Sequence, residues 1–215
     1  MRSLVLLLVG ALTLAAQPAA SIEEAVKLLA EITGLPPLKK VDHGTITREG
    51  VRAFLEERIA EEVKPEEIRI EELVLKRFGL IPEDFDLKSA TVNLITEQAA
   101  AFYDYRRKKL FLLEEENQGG LAQNTVLVHE LAHALADQHF DLGRYIKRGR
   151  TDDESTARMA VMEGQATWLM MEAMGHKMGQ SLRKLPQLVD MMATGVSSVM
   201  MEQYPELAKA PLYLR

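Results

Sequence analysis

The sequence predicts a predominantly helical α+β fold. Over most of its length, apolar residues recur at helical spacing, with a start signal at Thr151 and stop signals at Gly79 and Gly175. Between them, two short runs rich in aromatic and branched residues, 101–105 and 109–113, flank three consecutive basic residues. This pattern predicts a β-hairpin in an otherwise helical chain.

The first part of the chain divides into helical segments separated by turn residues. Helices are predicted at residues 21–30, 47–63, 65–78 and about 83–97. A Gly-Leu-Pro-Pro stretch at 34–37 separates the first two, and residues 79–82 close the third. We therefore expect an N-terminal helical region over residues 21–80, followed by a core over residues 81–215.

The first 20 residues have the layout of a secretory signal peptide. Arg2 provides a positive start, residues 4–16 form an apolar run, and small residues follow. The run is too short for a membrane-spanning helix. The sequence thus predicts a secreted or periplasmic protein, with no stable membrane insertion after cleavage. With no Cys in the chain, it has no disulfide.

The charge balance excludes some classes of partner. The chain has 26 Lys and Arg against 32 Asp and Glu, a net charge of −6. It has no basic stripe, which argues against nucleic acid, and its acidic balance argues against an anionic membrane surface.

The most informative motif is His129-Glu130-Leu131-Ala132-His133, set within an apolar run. Four residues of helix turn through about 400°, so His129 and His133 lie on one face, one turn apart. Two imidazoles so placed can bind one Zn²⁺, and Glu130 then stands where it can take a proton from bound water. The motif predicts metal-assisted hydrolysis of an amide bond.

The third ligand has two candidates. His139 follows His133 at the spacing of an extended motif that turns the chain back at a Gly, but the Gly position holds Ala136, a strong helix former. Glu163 lies in the middle of an apolar helix face, where an ionised carboxylate is costly unless a cation meets it. Glu163 is the favoured ligand, and His139 is the alternative.

The pairing of this motif with Glu163-Gly164-Gln165-Ala166 resembles the gluzincin metallopeptidases. Residues 128–142 are also similar to a run found in a group of bacterial secreted proteins, and the resemblance covers about residues 80–170. It implies a zincin-like core, with a small sheet against the motif helix and Zn²⁺ as cofactor. His129, His133 and Glu163 would bind the zinc, and Glu130 would act as general base.

Two further expectations follow from the resemblance. The edge strand of a zincin sheet holds an extended peptide by main-chain pairing, which predicts a peptide or protein substrate. The chain also departs from the family, because the carboxylate that often follows the third ligand is absent, with Thr167 and Trp168 nearby.

The rival hypothesis is a non-catalytic envelope protein that binds zinc structurally or binds a partner. A structural zinc site is closed by four protein ligands, so His139 or Asp137 would have to complete it. Asp137 lies one turn beyond His133, where it could orient an imidazole, although we expect it to be exposed to solvent.

The end of the chain carries no closing element around Pro205, Pro211 and Arg215. Because the resembling proteins run further, we expect a shortened chain. Apolar residues at helical spacing predict one or two helices over residues 185–200. These helices should cover part of the core but leave one flank of the site open, with an exposed apolar patch.

Overall fold

The computed structural model describes residues 22–114, 121–184 and 204–214, with only the backbone for 121–124. The predicted signal peptide (1–20) and the predicted helices at 185–200 lie outside the described residues, so the expected open flank stays a prediction. The described part has a predominantly helical α+β architecture with one small sheet, as the sequence predicts.

The elements follow one another in this order: α1 (Ile22–Thr33), β1 (Asp42–Ile46), α2 (Arg48–Glu62), α3 (Pro65–Arg77), α4 (Leu87–Gln98), β2 (Ala101–Asp104), β3 (Lys109–Leu113), α5 (Leu121–Phe140), α6 (Leu142–Lys147), α7 (Asp152–Lys177) and α8 (Pro205–Lys209). Short 3₁₀ turns occupy Leu182–Lys184 and Leu212–Leu214. Among the described helices, none is long and apolar enough to cross a membrane.

The sheet has the strand order β1-β3-β2. The predicted hairpin is confirmed, because β2 and β3 pair antiparallel with Ala101 opposite Leu112 and Asp104 opposite Lys109. A third strand, β1, pairs parallel with β3 and was not predicted. It comes from the region predicted as helical, so that region contributes a strand to the sheet.

Among the described strands, β2 lies at a free edge of the sheet. The N–H of Leu113 donates to the carbonyl of Ala100 at 2.9 Å. Because main-chain bonding alternates along an antiparallel pair, the groups of Phe102 then point toward β3, whereas those of Ala101 and Tyr103 point to the free edge.

The sheet lies between two helical layers. On one face, α5 packs together with α1 and α7 in the largest core, which includes the fully buried Leu29, Leu110 and Leu131. On the other face, α2 contributes to a smaller apolar cluster with Phe102 and Leu113. Successive side chains of β2 therefore alternate between the α5 layer and the α2 layer.

Helix α7 begins after a capping residue and ends before a left-handed glycine. Thr151 caps the helix as predicted, with its side chain accepting from the N–H of Glu154 at 3.2 Å. The predicted stop at Gly175 is wrong, because the helix continues to Lys177. The left-handed residue is Gly179, with φ 70°, and the N–H of Gln180 donates back to the carbonyl of Gly175.

Candidate metal centre

Helix α5 places the motif histidines inside the protein. His129 is 3% exposed and His133 is 7% exposed. Leu131 and Leu135 bury the helix in the main core, so both imidazoles are held on a face that solvent barely reaches. Glu130 is only partly buried.

Helix α7 packs against α5 and brings Glu163 to the same point. The Oε2 atom of Glu163 lies 3.1 Å from His129 Nε2 and 3.3 Å from His133 Nε2. The two ring nitrogens are 3.1 Å apart. The three predicted ligands therefore form one compact group that could hold a metal ion.

The shape of this triangle suits a tetrahedral cation. Ligand atoms about 2.0–2.1 Å from a tetrahedral ion are separated by about 3.3–3.4 Å, close to the distances found here. Each Nε2 carries at most one proton, so three mutual contacts cannot all be hydrogen bonds. When both histidines donate to Glu163, no proton is left for the contact between the two ring nitrogens. A single cation would accept a lone pair from each of the three atoms.

Glu163, which belongs to this group, and Glu130, which lies beside it, differ in acidity. Burial alone would raise the pKa of Glu163, but hydrogen bonds from His129 and His133 outweigh it and lower the pKa to about 2. Burial raises the pKa of Glu130 to about 7, against the opposing effects of His129 and the amide of Tyr103. Glu163 thus stays ionised, whereas Glu130 can gain or lose a proton near neutrality.

Glu130 contacts the free edge of the sheet. Its Oε2 atom accepts a hydrogen bond from the N–H of Tyr103 at 2.7 Å. This N–H is one of the edge groups that β3 does not use. The motif carboxylate and the edge strand therefore meet at Tyr103.

A cleft of about 370 Å³ runs along this edge of the sheet. It contains Glu130, His133 and Glu163, so the candidate metal group opens into it. Its walls come from β2, α2, α6 and α7, and the apolar wall residues include Val51, Phe54, Leu55, Phe102, Ile146, Met159 and Met162.

Asp137 is buried, so the prediction of solvent exposure is wrong. It is 5% exposed and accepts hydrogen bonds from the Tyr103 hydroxyl at 2.7 Å, from Lys108 Nζ at 2.8 Å and from the N–H of Leu142 at 2.8 Å. Burial and the bond to Asp137 raise the pKa of Tyr103. Asp137 thus joins the end of α5 to the hairpin and to α6 instead of orienting an imidazole.

His139 does not join the metal group. Helix α5 continues through Ala136 to Phe140, and the Nε2 atom of His139 lies 2.8 Å from the carbonyl oxygen of Pro36. Within the described residues, the group contains no fourth His, Asp or Glu. Between the two candidates for third ligand, the geometry brings Glu163 to the motif and takes His139 away.

One ring nitrogen of the candidate ligands lacks a hydrogen-bond partner among the described residues. This atom is the buried Nδ1 of His129, which no residue within 22–114, 121–184 or 204–214 reaches. Metal-binding histidines normally donate this second ring N–H to a carboxylate or carbonyl. Among the described residues, His129 would therefore bind a metal without this orienting hydrogen bond.

No protein-family model matches the chain, and no curated protein or solved structure resembles it significantly. Its function must therefore be inferred from the site itself.

Proposed function

We propose that the protein is a metal-dependent hydrolase. More narrowly, we propose a zinc peptidase of the gluzincin type with a zincin-like core. One observation carries the proposal: two imidazole nitrogens and a carboxylate oxygen, from His129, His133 and Glu163, form a triangle of 3.1–3.3 Å beside Glu130 in an open cleft. This donor set, with an adjacent carboxylate free to move protons, is that of a hydrolytic zinc site.

The residues of the site have separate roles in this proposal. A zinc ion held by His129, His133 and Glu163 would supply Lewis acidity that polarises the substrate carbonyl and acidifies the attacking water. Glu130 accepts the proton of that water as the oxygen attacks the peptide carbonyl. It then delivers the proton to the amine nitrogen as the C–N bond breaks. In the metal-free protein, burial raises the pKa of Glu130 to about 7, which favours proton uptake by this carboxylate.

The free edge of β2 supports a peptide as substrate. The main-chain groups of Ala101 and the carbonyl of Tyr103 point to the free edge, so an extended peptide can pair with β2 at these groups as an added strand. Such pairing would run the peptide past Tyr103, whose N–H is held by Glu130. The predicted signal peptide supports substrates in the secreted or periplasmic space. The acidic charge balance supports the absence of a nucleic acid partner.

The geometry favours this proposal over a closed structural zinc site. His139 and Asp137, the two residues proposed to complete such a site, are engaged with Pro36 and with Tyr103, Lys108 and Leu142. A group of three ligands next to a cleft leaves a coordination position for water or substrate, which is the arrangement of catalytic sites.

The test is cleavage of an unstructured protein under three conditions: zinc-loaded protein, chelator-treated protein and chelator-treated protein with zinc restored. We expect fragments in the first and third conditions only. Fragments that persist in the chelator, or a zinc-loaded protein that cleaves nothing, would contradict the proposal.

A further inference from the structure

We propose that the exposed face of α3 is an interface on which a second copy of this chain docks, giving a dimer with two-fold symmetry. The proposal concerns assembly and does not depend on the proposed hydrolase function. It rests on an apolar stripe along α3 and on the charged side chains at the two ends of that stripe.

Helix α3 exposes large apolar side chains along one face. Ile70, Leu73 and Val74, together with Phe78 at the C-cap, follow the i, i+3, i+4, i+8 spacing of a single helical face. They are 47%, 45%, 45% and 77% exposed, respectively. Isolated exposed apolar residues are ordinary, but a contiguous group of them marks an interaction surface. We call this group the α3 stripe.

The opposite face of α3 attaches the helix to the rest of the protein. Leu75 is buried there, in a small cluster with Ile81 and Leu87. The helix therefore carries apolar residues on both its inner and its outer side. This pattern is typical of a helix that is covered on both sides, so the α3 stripe indicates a surface that a partner covers.

Two charged side chains lie at opposite ends of the α3 stripe. Glu67 precedes Val74 by seven residues, and Arg77 follows Ile70 by seven, which is about two helical turns in each case. Both charges therefore lie on the exposed face. Within the described part of the chain, neither Glu67 nor Arg77 makes an ion pair. The stripe thus has one acidic end and one basic end, and both charges are available to a partner.

These charges favour an antiparallel pairing with a second copy. Glu67 and Arg77 are ten residues apart, about 15 Å along the helix. When two α3 helices pack antiparallel about a two-fold axis, Glu67 of each copy can lie beside Arg77 of the other. The same register sets Ile70 beside Val74 and brings the two copies of Leu73 together near the axis. A parallel pairing would place like charges together at both ends.

The charge of α3 also favours a second copy over a membrane surface. Helices that lie on membranes are rich in Lys and Arg beside their apolar face. Helix α3 has four Glu against three Lys and Arg. An anionic lipid surface would therefore repel it, whereas a second copy offers both an apolar stripe and complementary charges.

The width of the stripe sets the expected affinity. An interface that is one helix wide lies at the low end of interface areas, where complexes are weak and transient. We therefore expect a dimer with a Kd of about 10–100 μM.

The first experiment is sedimentation equilibrium of the full chain, at concentrations below and above this Kd, with wild type, Leu73→Glu and Val161→Glu. Val161 is the matched control, because it is an apolar residue of α7 that is 63% exposed. We expect a concentration-dependent dimer for wild type and for Val161→Glu. Leu73→Glu should raise the Kd by about 10-fold or more, because it places two carboxylates at the centre of an apolar interface.

Charge reversal tests the antiparallel register. Glu67→Arg and Arg77→Glu should each raise the Kd by about 10-fold, because each pair occurs twice in a symmetric dimer. The double variant restores opposite charges and should return the Kd to within about 3-fold of wild type. Circular dichroism checks that each variant is folded. A double variant as weak as the single ones would overturn the proposed pairing.

Single cysteines provide a second measurement that needs no disruptive change. The chain has no Cys, so each introduced thiol is the only one present. Under mild oxidation, Leu73→Cys should form a disulfide-linked dimer, because this position lies near the two-fold axis. Phe78→Cys lies far from the axis and should link much less, although Phe78 is the more exposed residue. Random collision would link Phe78→Cys at least as fast.

Several outcomes would overturn the proposal. One is a wild type that stays monomeric at every concentration. Labelling of Leu73→Cys by a maleimide then distinguishes a stripe covered by the chain itself, which is protected, from an open one, which reacts. A dimer that survives Leu73→Glu, or equal cross-linking of the two cysteine variants, would place the interface elsewhere. Binding of the monomer to phosphatidylglycerol vesicles would assign the stripe to a membrane instead.

Discussion

Glu163 of the candidate metal group and the neighbouring Glu130 have environments that shift their pKa values in opposite directions. Glu163 receives hydrogen bonds from two imidazoles and keeps a pKa of about 2, whereas burial raises the pKa of Glu130 to about 7. Such a separation is typical of sites in which one acid holds charge and the other moves protons. At the residue scale, this difference supports the roles proposed for Glu163 in metal binding and for Glu130 in acid–base chemistry.

Glu130→Gln separates these two roles. The amide keeps the shape and the ability to accept from the N–H of Tyr103 but cannot take a proton from water. We expect zinc content near that of wild type by mass spectrometry and a loss of hydrolysis of about 100-fold or more. If the variant loses zinc as completely as His133→Ala does, Glu130 is a ligand or a structural support and not the base.

His133→Ala and His139→Ala form a matched pair, because both histidines lie in the C-terminal half of α5. His133 contributes a ring nitrogen to the metal group, whereas His139 contacts the carbonyl of Pro36. Competition with a fluorescent zinc chelator should show loss of high-affinity binding in His133→Ala and unchanged affinity in His139→Ala. Weakened binding in His139→Ala would return that residue to the ligand set.

At the scale of elements, Asp137 connects α5, which carries two of the candidate metal ligands, to the edge strand. Its carboxylate holds the Tyr103 side chain, the hairpin residue Lys108 and the first residue of α6. Because Tyr103 also contacts Glu130 through its main chain, Asp137 helps to fix the distance between α5 and the strand on which a substrate would pair.

Replacing Asp137 should therefore be costly. Asp137→Ala leaves the half-buried Tyr103 hydroxyl and the buried Leu142 amide without their acceptor, and Lys108 keeps only Asp141, at 3.8 Å. We expect this to lower the free energy of unfolding by about 2–3 kcal/mol. Tyr103→Phe removes one donor and should cost about 1 kcal/mol. Urea unfolding followed by circular dichroism measures both, with Asp42→Ala as the control because Asp42 is an exposed residue of β1. An Asp137→Ala cost no larger than that of Asp42→Ala would refute this connecting role.

Particular elements show what the sequence could predict. The hairpin was predictable because its aromatic and branched runs are local, and the cap of α7 because Thr151 and Glu154 are three residues apart. Strand β1 was missed because Asp42, His43 and Gly44 give no alternating apolar pattern, and its partner lies far along the chain. The burial of Asp137 was missed for the same reason: its partners come from other elements.

For the candidate site too, local features were predictable from the sequence and features built from distant elements were not. The facing of His129 and His133 follows from helical geometry, and Glu163 stood out as a carboxylate on an apolar face. The cleft could not be predicted, because its walls come from α2, β2, α6 and α7 and exist only when these elements pack together.

At the scale of the whole molecule, the metal group joins two elements, α5 and α7, within the largest core. An ion bound only by the folded protein stabilises it, by about 2.7 kcal/mol at a free concentration 100 times its Kd. Thermal unfolding should therefore shift to higher temperature with added zinc in wild type and stay unchanged in His133→Ala. An equal shift in both would indicate zinc binding elsewhere on the protein.

The central claim is an open metal site with three protein ligands, and a crystal structure of zinc-loaded protein with anomalous diffraction at the zinc absorption edge tests it most directly. We predict one strong peak bonded to His129, His133 and Glu163, with solvent as the remaining ligand on the side of Glu130 and the cleft. A peak closed by a fourth protein ligand, or the absence of any peak at these three residues, would contradict the claim.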